Sequence, residues 1–455
     1  MALVMDSQKT HNDRSAPHPG LQARKTAARL LGAVIDARTS LDGLTDNDHG
    51  HPNYLALDNR DRALVRAILG SALRHRRSIE ALISSRLDRP LPANAKSLSH
   101  ILHVAAAQIL FLDVPDSAAV DLAVTHAKSD PRTQRFASLV NAVAREISRR
   151  KERALPAVLQ KTVDAPDWFI QRVVGAYGEE RGRLILDMHR TEAPLDVTVK
   201  ADPEGWAAKL GGFVLPTGSV RLTRVDGSIT ELPGFAEGAW WVQDAAAALP
   251  ARLCGDVAGQ RVADLCAAPG GKTAQLAAGG ALVTALDTSR NRLKRLRANL
   301  DRLQLAAEIV EADAAHWSAP ALFDAVLLDA PCSSSGTVRR HPDVPWTKSM
   351  EDVRKLAGVQ RRLLDAAIEL VRPGGVLVFS NCSLDPIEGE ELVASFLEET
   401  PAATLDPVRP GDVAGLDPFI DKRGMVRTTP ADMRFETMAE SGMDGFFAAR
   451  LRRRA

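Results

Sequence analysis

Three short stretches of the chain carry side chains able to do chemistry. "DLCAAPGGKT" (264–273) holds a thiol, a Gly-Gly pair and an amine; "LLDAPCSSSGTVRRHPDVPW" (327–346) holds a carboxyl, a thiol and basic groups; "VFSNCSL" (378–384) holds another thiol. The first stretch almost spells a phosphate-cradling loop, which needs Gly, four residues, then Gly-Lys-Ser/Thr. Gly271-Lys272-Thr273 supplies the second half, but Cys266 stands where the first Gly belongs. The turn at Pro269-Gly270-Gly271 still lets backbone approach a ligand at the start of a helix. Phosphate loops, dinucleotide sites and S-adenosylmethionine sites all share this context, so the turn alone does not choose among them.

Two acids narrow the choice. Asp287 closes the next strand, where a carboxylate accepts hydrogen bonds from both hydroxyls of a ribose, and Asp313 follows the third strand, within reach of an adenine amine. Acids at strand ends also serve as helix caps, but their joint placement favours a ligand. A cofactor with a ribose, an adenine and a sulfonium but no phosphates suits the lining. We therefore expect S-adenosylmethionine, held by Cys266, Ala267, Ala268, Pro269, Gly270, Gly271, Lys272, Asp287, Asp313 and Asp329. Cys266 takes part through its backbone.

These residues need a sheet to position them. From Gly259 the chain repeats short apolar strand, Gly- or Asp-rich turn and amphipathic helix, with strands at "RVADLCA", "ALVTALD", "AEIVEAD", "FDAVLLDAP" and "GGVLVFSNCS". That alternation predicts a doubly wound, mainly parallel sheet, whose ligands sit at the carboxyl ends of the strands. Cys332 and Cys382 both fall at such ends, and neighbouring strands would bring them together with Asp329.

The remainder reads as follows. A chain of 455 residues holds two or three domains: a flexible tail (1–20), an α-helical unit (21–155), a small α+β insert (163–251) and the Rossmann-like α/β domain (252–455). "SHILHVAAAQILFLDV", apolar on most sides, belongs at the centre of the helical unit. "LDGLTDNDHGHPNYLALDN" reads as a surface loop, and "RRKERALPAVLQKTVDAPDW" as a basic helix end followed by a linker. Net charge is only +1, yet between Arg60 and Arg153 there are 17 Lys and Arg against 9 Asp and Glu. This bias suits a phosphate backbone or, equally, a solvated helical face. No apolar run reaches the length of a spanning helix, and "MALVMDSQKTHNDRSAPHPG" lacks the features of a secretory signal, so a cytoplasmic protein with no membrane partner is expected. The cysteines, Cys254, Cys266, Cys332 and Cys382, show no Cys-x-x-Cys spacing, which argues against a disulfide framework and a metal site. An isolated Cys is usually a small core hydrophobe, and Cys254 is read that way.

In their order along the chain, "DLCAAPGGKT", "LLDAPCSSSGTVRRHPDV" and "SNCSL" resemble the motifs of RNA cytosine-5 methyltransferases. The helical unit, with "ASLVNAVAREI" near its end, resembles the antitermination-factor-B-like RNA-binding domain ahead of the catalytic domain in 16S ribosomal RNA methyltransferases of the B type, and "DGFFAARL" is similar to that family's end. The resemblance implies that Cys382 attacks carbon 6 of cytosine, that Cys332 assists proton removal and release, and that Asp329 bonds the cytosine edge. Lys272 is a candidate to supply the field that favours a Cys382 thiolate. DNA cytosine-5 enzymes use the Pro-Cys thiol as nucleophile beside a Glu-Asn-Val motif, which this sequence lacks. Asn381 departs from the family's usual Thr, and "SSSG" is richer in Ser than usual.

Arg339, Arg340 and His341, following the Pro-Cys loop, are expected to hold RNA phosphates, with Trp346 either stacking on a base or anchoring the loop. The expected partner is small-subunit ribosomal RNA and the chain acts as a monomer. Competing readings are the same chemistry on another RNA such as tRNA, a non-catalytic RNA-binding assembly factor, and a nucleoside-triphosphatase, the last opposed by the missing Gly and by Asp287.

Overall fold

The computed structural model describes residues 19–225 and 227–455. The tail expected over 1–20 lies outside the described residues except for its last two. The chain falls into two compact units divided between Thr162 and Val163.

The first unit is α-helical. The helix Lys96–Phe111 is buried along nearly its whole length, as its all-round apolar sequence requires, and is packed by Leu21–Ala37, Asn59–Arg74, Asp116–Ser129 and Ala137–Lys161. Two local differences from the sequence reading have simple causes. The polar stretch expected as a loop contains the single-turn helices Leu41–Leu44 and Pro52–Leu55; the second, begun by Pro52 with fixed φ, buries Tyr54. The linker expected after residue 155 is helical as far as Lys161, with Pro156 inside the helix.

In the second unit, residues 163–251 pack into the same compact body as the α/β sheet. Strands β1 (Leu195–Val199), β2 (Gly212–Val214), β3 (Val220–Leu222) and β4 (Trp240–Val242) form an antiparallel sheet in the order β2-β3-β1-β4. Beyond them come β5 (Arg261–Leu265), β6 (Leu282–Asp287), β7 (Glu308–Glu311), β8 (Phe323–Asp329) and β9 (Val371–Asn381), followed by β10 (Ala403–Leu405), β11 (Val426–Thr428) and β12 (Phe446–Arg453). The main sheet runs β7-β6-β5-β8-β9-β12-β10, with β11 on β12. Strands β5 to β9 are parallel, and the rest are antiparallel.

Both faces of the parallel strands are apolar because both are covered. On one face Leu265, Leu328, Leu377 and Phe379 join Leu364 and Ile368 of the helix Met350–Leu370; on the other, Val262, Leu327 and Val378 join Leu249 and Leu276. The chain runs outward through β5, β6 and β7, then returns to place β8 on the other side of β5. That reversal opens a crevice at the carboxyl ends of β5 and β8, where the three motifs meet.

Candidate active site

Cavity formation begins with the turn after β5. Cys266 has φ 63° and Gly270 has φ 104°, the left-handed region that favours glycine, and the helix Gly271–Ala278 starts immediately afterwards. Thr273 turns inward, its hydroxyl donating to the buried Asp264 carboxylate at 2.6 Å. Burial pushes the Asp264 carboxyl up to about 7. Thr273 therefore supports the strand from below rather than facing a ligand. Lys272 is tucked in too: its Nζ donates to Asp329 Oδ2 at 2.8 Å and lies 4.9 Å from the centre of the Phe446 ring.

The cavity above this turn has a volume of about 360 Å³. Its wall includes Cys266, Ala268, Asp287, Arg292, Asp313, Asp329, Cys332 and Cys382. Asp287 at the end of β6 accepts from the backbone N–H groups of Ala268 and Ser289 and pairs with Arg292 at 3.1 Å. Asp313 is more open; it accepts from the Ala315 N–H and pairs with His316, and the first of these contacts leads in holding its carboxyl below the ordinary value. One enclosed space thus carries acids at two strand ends, a backbone turn able to approach closely, and both motif thiols. These residues fit an adenosyl sulfonium ligand: carboxylates for a ribose and a positive charge, and a turn with no cradle for phosphate.

The thiols face each other. Cys332 and Cys382 lie 3.3 Å apart, Sγ to Sγ, as free thiols. The hydrogen bond from Cys332 leads in holding Cys382 below the ordinary thiol value, helped by Ser334 and Lys272, while burial and Asp329 oppose. The same bond, burial and the negative charges of Cys382 and Glu388 push Cys332 well above it. The acidic thiol is therefore the one on the β9 loop. Cys266 and Cys254 are both pushed up to about 12 by burial, with nearby carboxylates adding to it. Neither is an activated thiol.

Asp329, at the end of β8, uses its two oxygens differently: Oδ2 takes Lys272, while Oδ1 accepts from the Ser380 hydroxyl at 3.0 Å. Ser380 and Cys382 share strand β9 and its exit, so this bond fixes the carboxylate relative to the acidic thiol. Asn381, between them, is fully buried and turned away from the cavity. Its Oδ1 accepts from the Ser383 N–H, and its Nδ2 donates to the Glu388 carbonyl.

Two of the three expected RNA contacts have partners inside the protein. Arg339 is 1% exposed and donates to the carbonyls of Glu192 and Ser441. Arg340 bridges Asp244 at 2.6 Å and Asp444 at 3.1 Å. Both knit the strand-linking segments together inside the fold, because long basic side chains next to a Pro-Cys loop found buried carboxylates and carbonyls from distant parts of the chain. His341 is half-buried at the start of the following turn, and Trp346 lies in the single-turn helix Val344–Thr347, half-buried. Sequence reasoning missed Glu388, Ser333, Ser383 and Arg292; the excess Ser in "SSSG" pointed only to Ser333.

The family comparisons agree with this geometry. Residues 255–452 match the model described as 16S rRNA methyltransferase RsmB/F, and residues 21–149 match the NusB family. The chain is 33% identical over 411 residues to the ribosomal RNA small subunit methyltransferase B of Vibrio cholerae, covering 86% of this chain and 93% of that one. The chain belongs to the 16S rRNA methyltransferase RsmB/F family. The protein of the same description from Salmonella typhi is also 33% identical, covering 86% and 94%. Among solved structures, a methyltransferase homologue from Pyrococcus horikoshii is 28% identical with a TM-score of 0.52, covering 62% of this chain and 93% of that one. The protein PH0851 shares the fold at a TM-score of 0.70 and 24% identity, covering 96% and 99%. As an RsmB/F member the chain is an S-adenosylmethionine-dependent RNA methyltransferase with an N-terminal NusB unit. Among the described residues no helix is long and apolar enough to cross a membrane, and no group of His, Cys, Asp and Glu is arranged to hold a metal.

Proposed function

We propose that the chain methylates carbon 5 of a cytosine in 16S ribosomal RNA through a covalent bond between Cys382 and carbon 6. The observation that carries this reading is the pair of free thiols 3.3 Å apart in one cavity with Asp329, which is itself paired to Lys272. Carbon 5 of cytosine is a weak nucleophile, and addition of a thiolate to carbon 6 turns the ring into an enamine. Cys382, the more acidic thiol, makes that bond, while Asp329 bonds the ring edge at nitrogen 3 and the amine. S-adenosylmethionine, held along the Cys266–Gly271 turn, Asp287 and Asp313, supplies the methyl group from its sulfonium. The proton on carbon 5 is then removed with the assistance of Cys332, the electrons re-form the carbon 5–carbon 6 double bond, and the Cys382 thiolate leaves. The target base must leave its stack to enter the cavity. His341 is the remaining candidate among the expected phosphate contacts. The chain acts in the cytoplasm as a monomer, and sedimentation of the purified protein checks the monomeric state.

Incubation with labelled S-adenosylmethionine and undermethylated small-subunit RNA is expected to place label on cytosine carbon 5. Label on tRNA alone would redirect the substrate, and label on neither would remove the reading. Asp287→Ala is expected to weaken S-adenosylmethionine binding roughly 10- to 100-fold, the equivalent of a hydrogen bond to a charged group, measured by calorimetry. Cys266→Ala should bind the cofactor and turn over, since only the backbone of that residue is used; loss of turnover would assign its thiol a part.

A further inference from the structure

Behind the thiol pair lies a buried carboxylate with no part in the chemistry above. Glu388 follows β9 on the short 3-10 turn Pro386–Glu388 and is fully buried. Its Oε1 accepts from the Ser333 N–H at 2.9 Å and from Gln360 Nε2 at 2.9 Å. Its Oε2 accepts from the hydroxyls of Ser333 and Ser383, the latter at 2.6 Å. Ser333 is next to Cys332, and Ser383 is next to Cys382. The partners are held in turn: Gln360 also donates to the Pro331 carbonyl at 2.9 Å, and the Asn381 amide holds the Glu388 carbonyl. The backbone adds one direct link, from the Gly336 N–H to the Cys382 carbonyl at 2.9 Å. Gly336 is where the Pro-Cys loop presses closest on the end of the sheet, since a Cβ there would lie 2.0 Å from the Gly445 carbonyl oxygen.

We propose that Glu388 is a positioning residue that clamps the two cysteine loops together and so fixes the approach of the two thiols. Four donors on one carboxylate satisfy a buried charge that would otherwise be costly. Two of those donors come from residues adjoining Cys332 and Cys382, so the Sγ–Sγ approach is set behind the thiols rather than by contact between them. The Glu388 charge adds to the Cys382 contact and burial in favouring the proton on Cys332, and Lys272 favours charge on Cys382 while Asp329 opposes it. A carboxylate suits this place because Ser333 presents both its N–H and its hydroxyl, and an acceptor with two oxygens takes both.

The inference rests on the thiol chemistry proposed above, and the experiment separates the two. Native protein, Glu388→Ala and Glu388→Gln are compared for single-turnover methylation of small-subunit RNA, for S-adenosylmethionine affinity and for the pH dependence of the methylation rate. Native protein that fails to methylate would defeat the chemistry itself. With active native protein, Glu388→Ala is expected to lose roughly 10²-fold in rate, the effect of misplacing a reacting group by about 1 Å. Cofactor affinity should stay within about twofold, and the alkaline rise of the rate should move to higher pH, because Cys382 loses its well-placed donor. Glu388→Gln should recover most of the rate: its oxygen keeps the Ser333 N–H and Gln360 bonds, and its amide donates to hydroxyls that can turn toward Ser335, 3.1 Å from Ser333. A Glu388→Ala enzyme as fast as native, or one whose cofactor binding falls in step with its rate, would overturn the proposal. So would a Glu388→Gln enzyme no better than Glu388→Ala.

Discussion

Cys382→Ala is expected to abolish both methylation and covalent capture of RNA, while Cys332→Ala accumulates RNA bound through Cys382. The loss of turnover in each case should be roughly 10⁴-fold or more, as for removal of a nucleophile from its constellation. The two variants differ in where the reaction stops. Without Cys382 no bond to carbon 6 forms, and denaturing gels should show free protein only. Without Cys332 the bond forms and the methyl is transferred, but clearance of the adduct is impaired, so a protein–RNA band should persist under denaturing conditions. The ionisation of the pair adds a second signature. An ordinary thiol titrates near about 8.5, and Cys382 is held below its ordinary value by the Cys332 donor. The rate of adduct formation in the native enzyme should therefore rise with pH and level off on the acid side of an ordinary thiol. Removing Cys332 takes away that donor, so the rise should move to higher pH even as the adduct becomes longer-lived. A stable adduct in Cys382→Ala, with none in Cys332→Ala, would invert the assignment.

The candidate site was legible because most of its residues lie at or near strand ends, and strand ends are marked locally. In β5, β6, β8 and β9 an apolar run stops at Leu265, Asp287, Asp329 and Asn381, and the acid or thiol arrives at that stop or one residue later. Residues that act across the fold left no such mark. Strand β12 pairs with β9 from Phe447 opposite Asn381 to Arg452 opposite Val376, and nothing in "DGFFAARL" by itself specifies that partner. The three-residue strands β10 and β11 are too short to show alternation. Glu388 lies six positions beyond Cys382 on a turn with no periodicity, and its role emerges only when Ser333 and Gln360 are brought to it from other elements. "RRH" after the Pro-Cys loop has the composition of an exposed phosphate-binding patch. Its true partners are remote: Asp244 and Asp444 are 96 and 104 positions away from Arg340. Composition reports which groups seek charge, whereas the fold decides whether the charge they meet belongs to a ligand or to the protein.

That distinction sets the second large expectation: Arg340→Ala is expected to destabilise the fold rather than weaken RNA binding. Asp244 and Asp444 are each only 5% exposed at the side chain, and Arg340 is the cation between them. Burial works against the guanidinium's charge, but Asp444 and Asp244 outweigh it and hold Arg340 above its ordinary value. Asp444, in turn, is pushed up to about 7 by burial and by Asp244, against the pull of Arg340. Removing the arginine takes away the cation bonded to both buried carboxylates, with Arg339 still acting on them, and breaking such a pair costs about 3 kcal/mol or more. In a unit of this size, that lowers the thermal midpoint by roughly 5 °C. Adding Asp444→Asn to Arg340→Ala should recover part of the loss, because one of the stranded charges is gone; a phosphate contact would predict no such rescue. The fraction that remains folded should keep the salt dependence of RNA binding, since a lost phosphate contact lowers that slope by about one and the loss of an internal ion pair does not. An unchanged thermal midpoint with a reduced salt slope would return Arg340 to the RNA surface, and the bridge to Asp244 and Asp444 would then be incidental to stability.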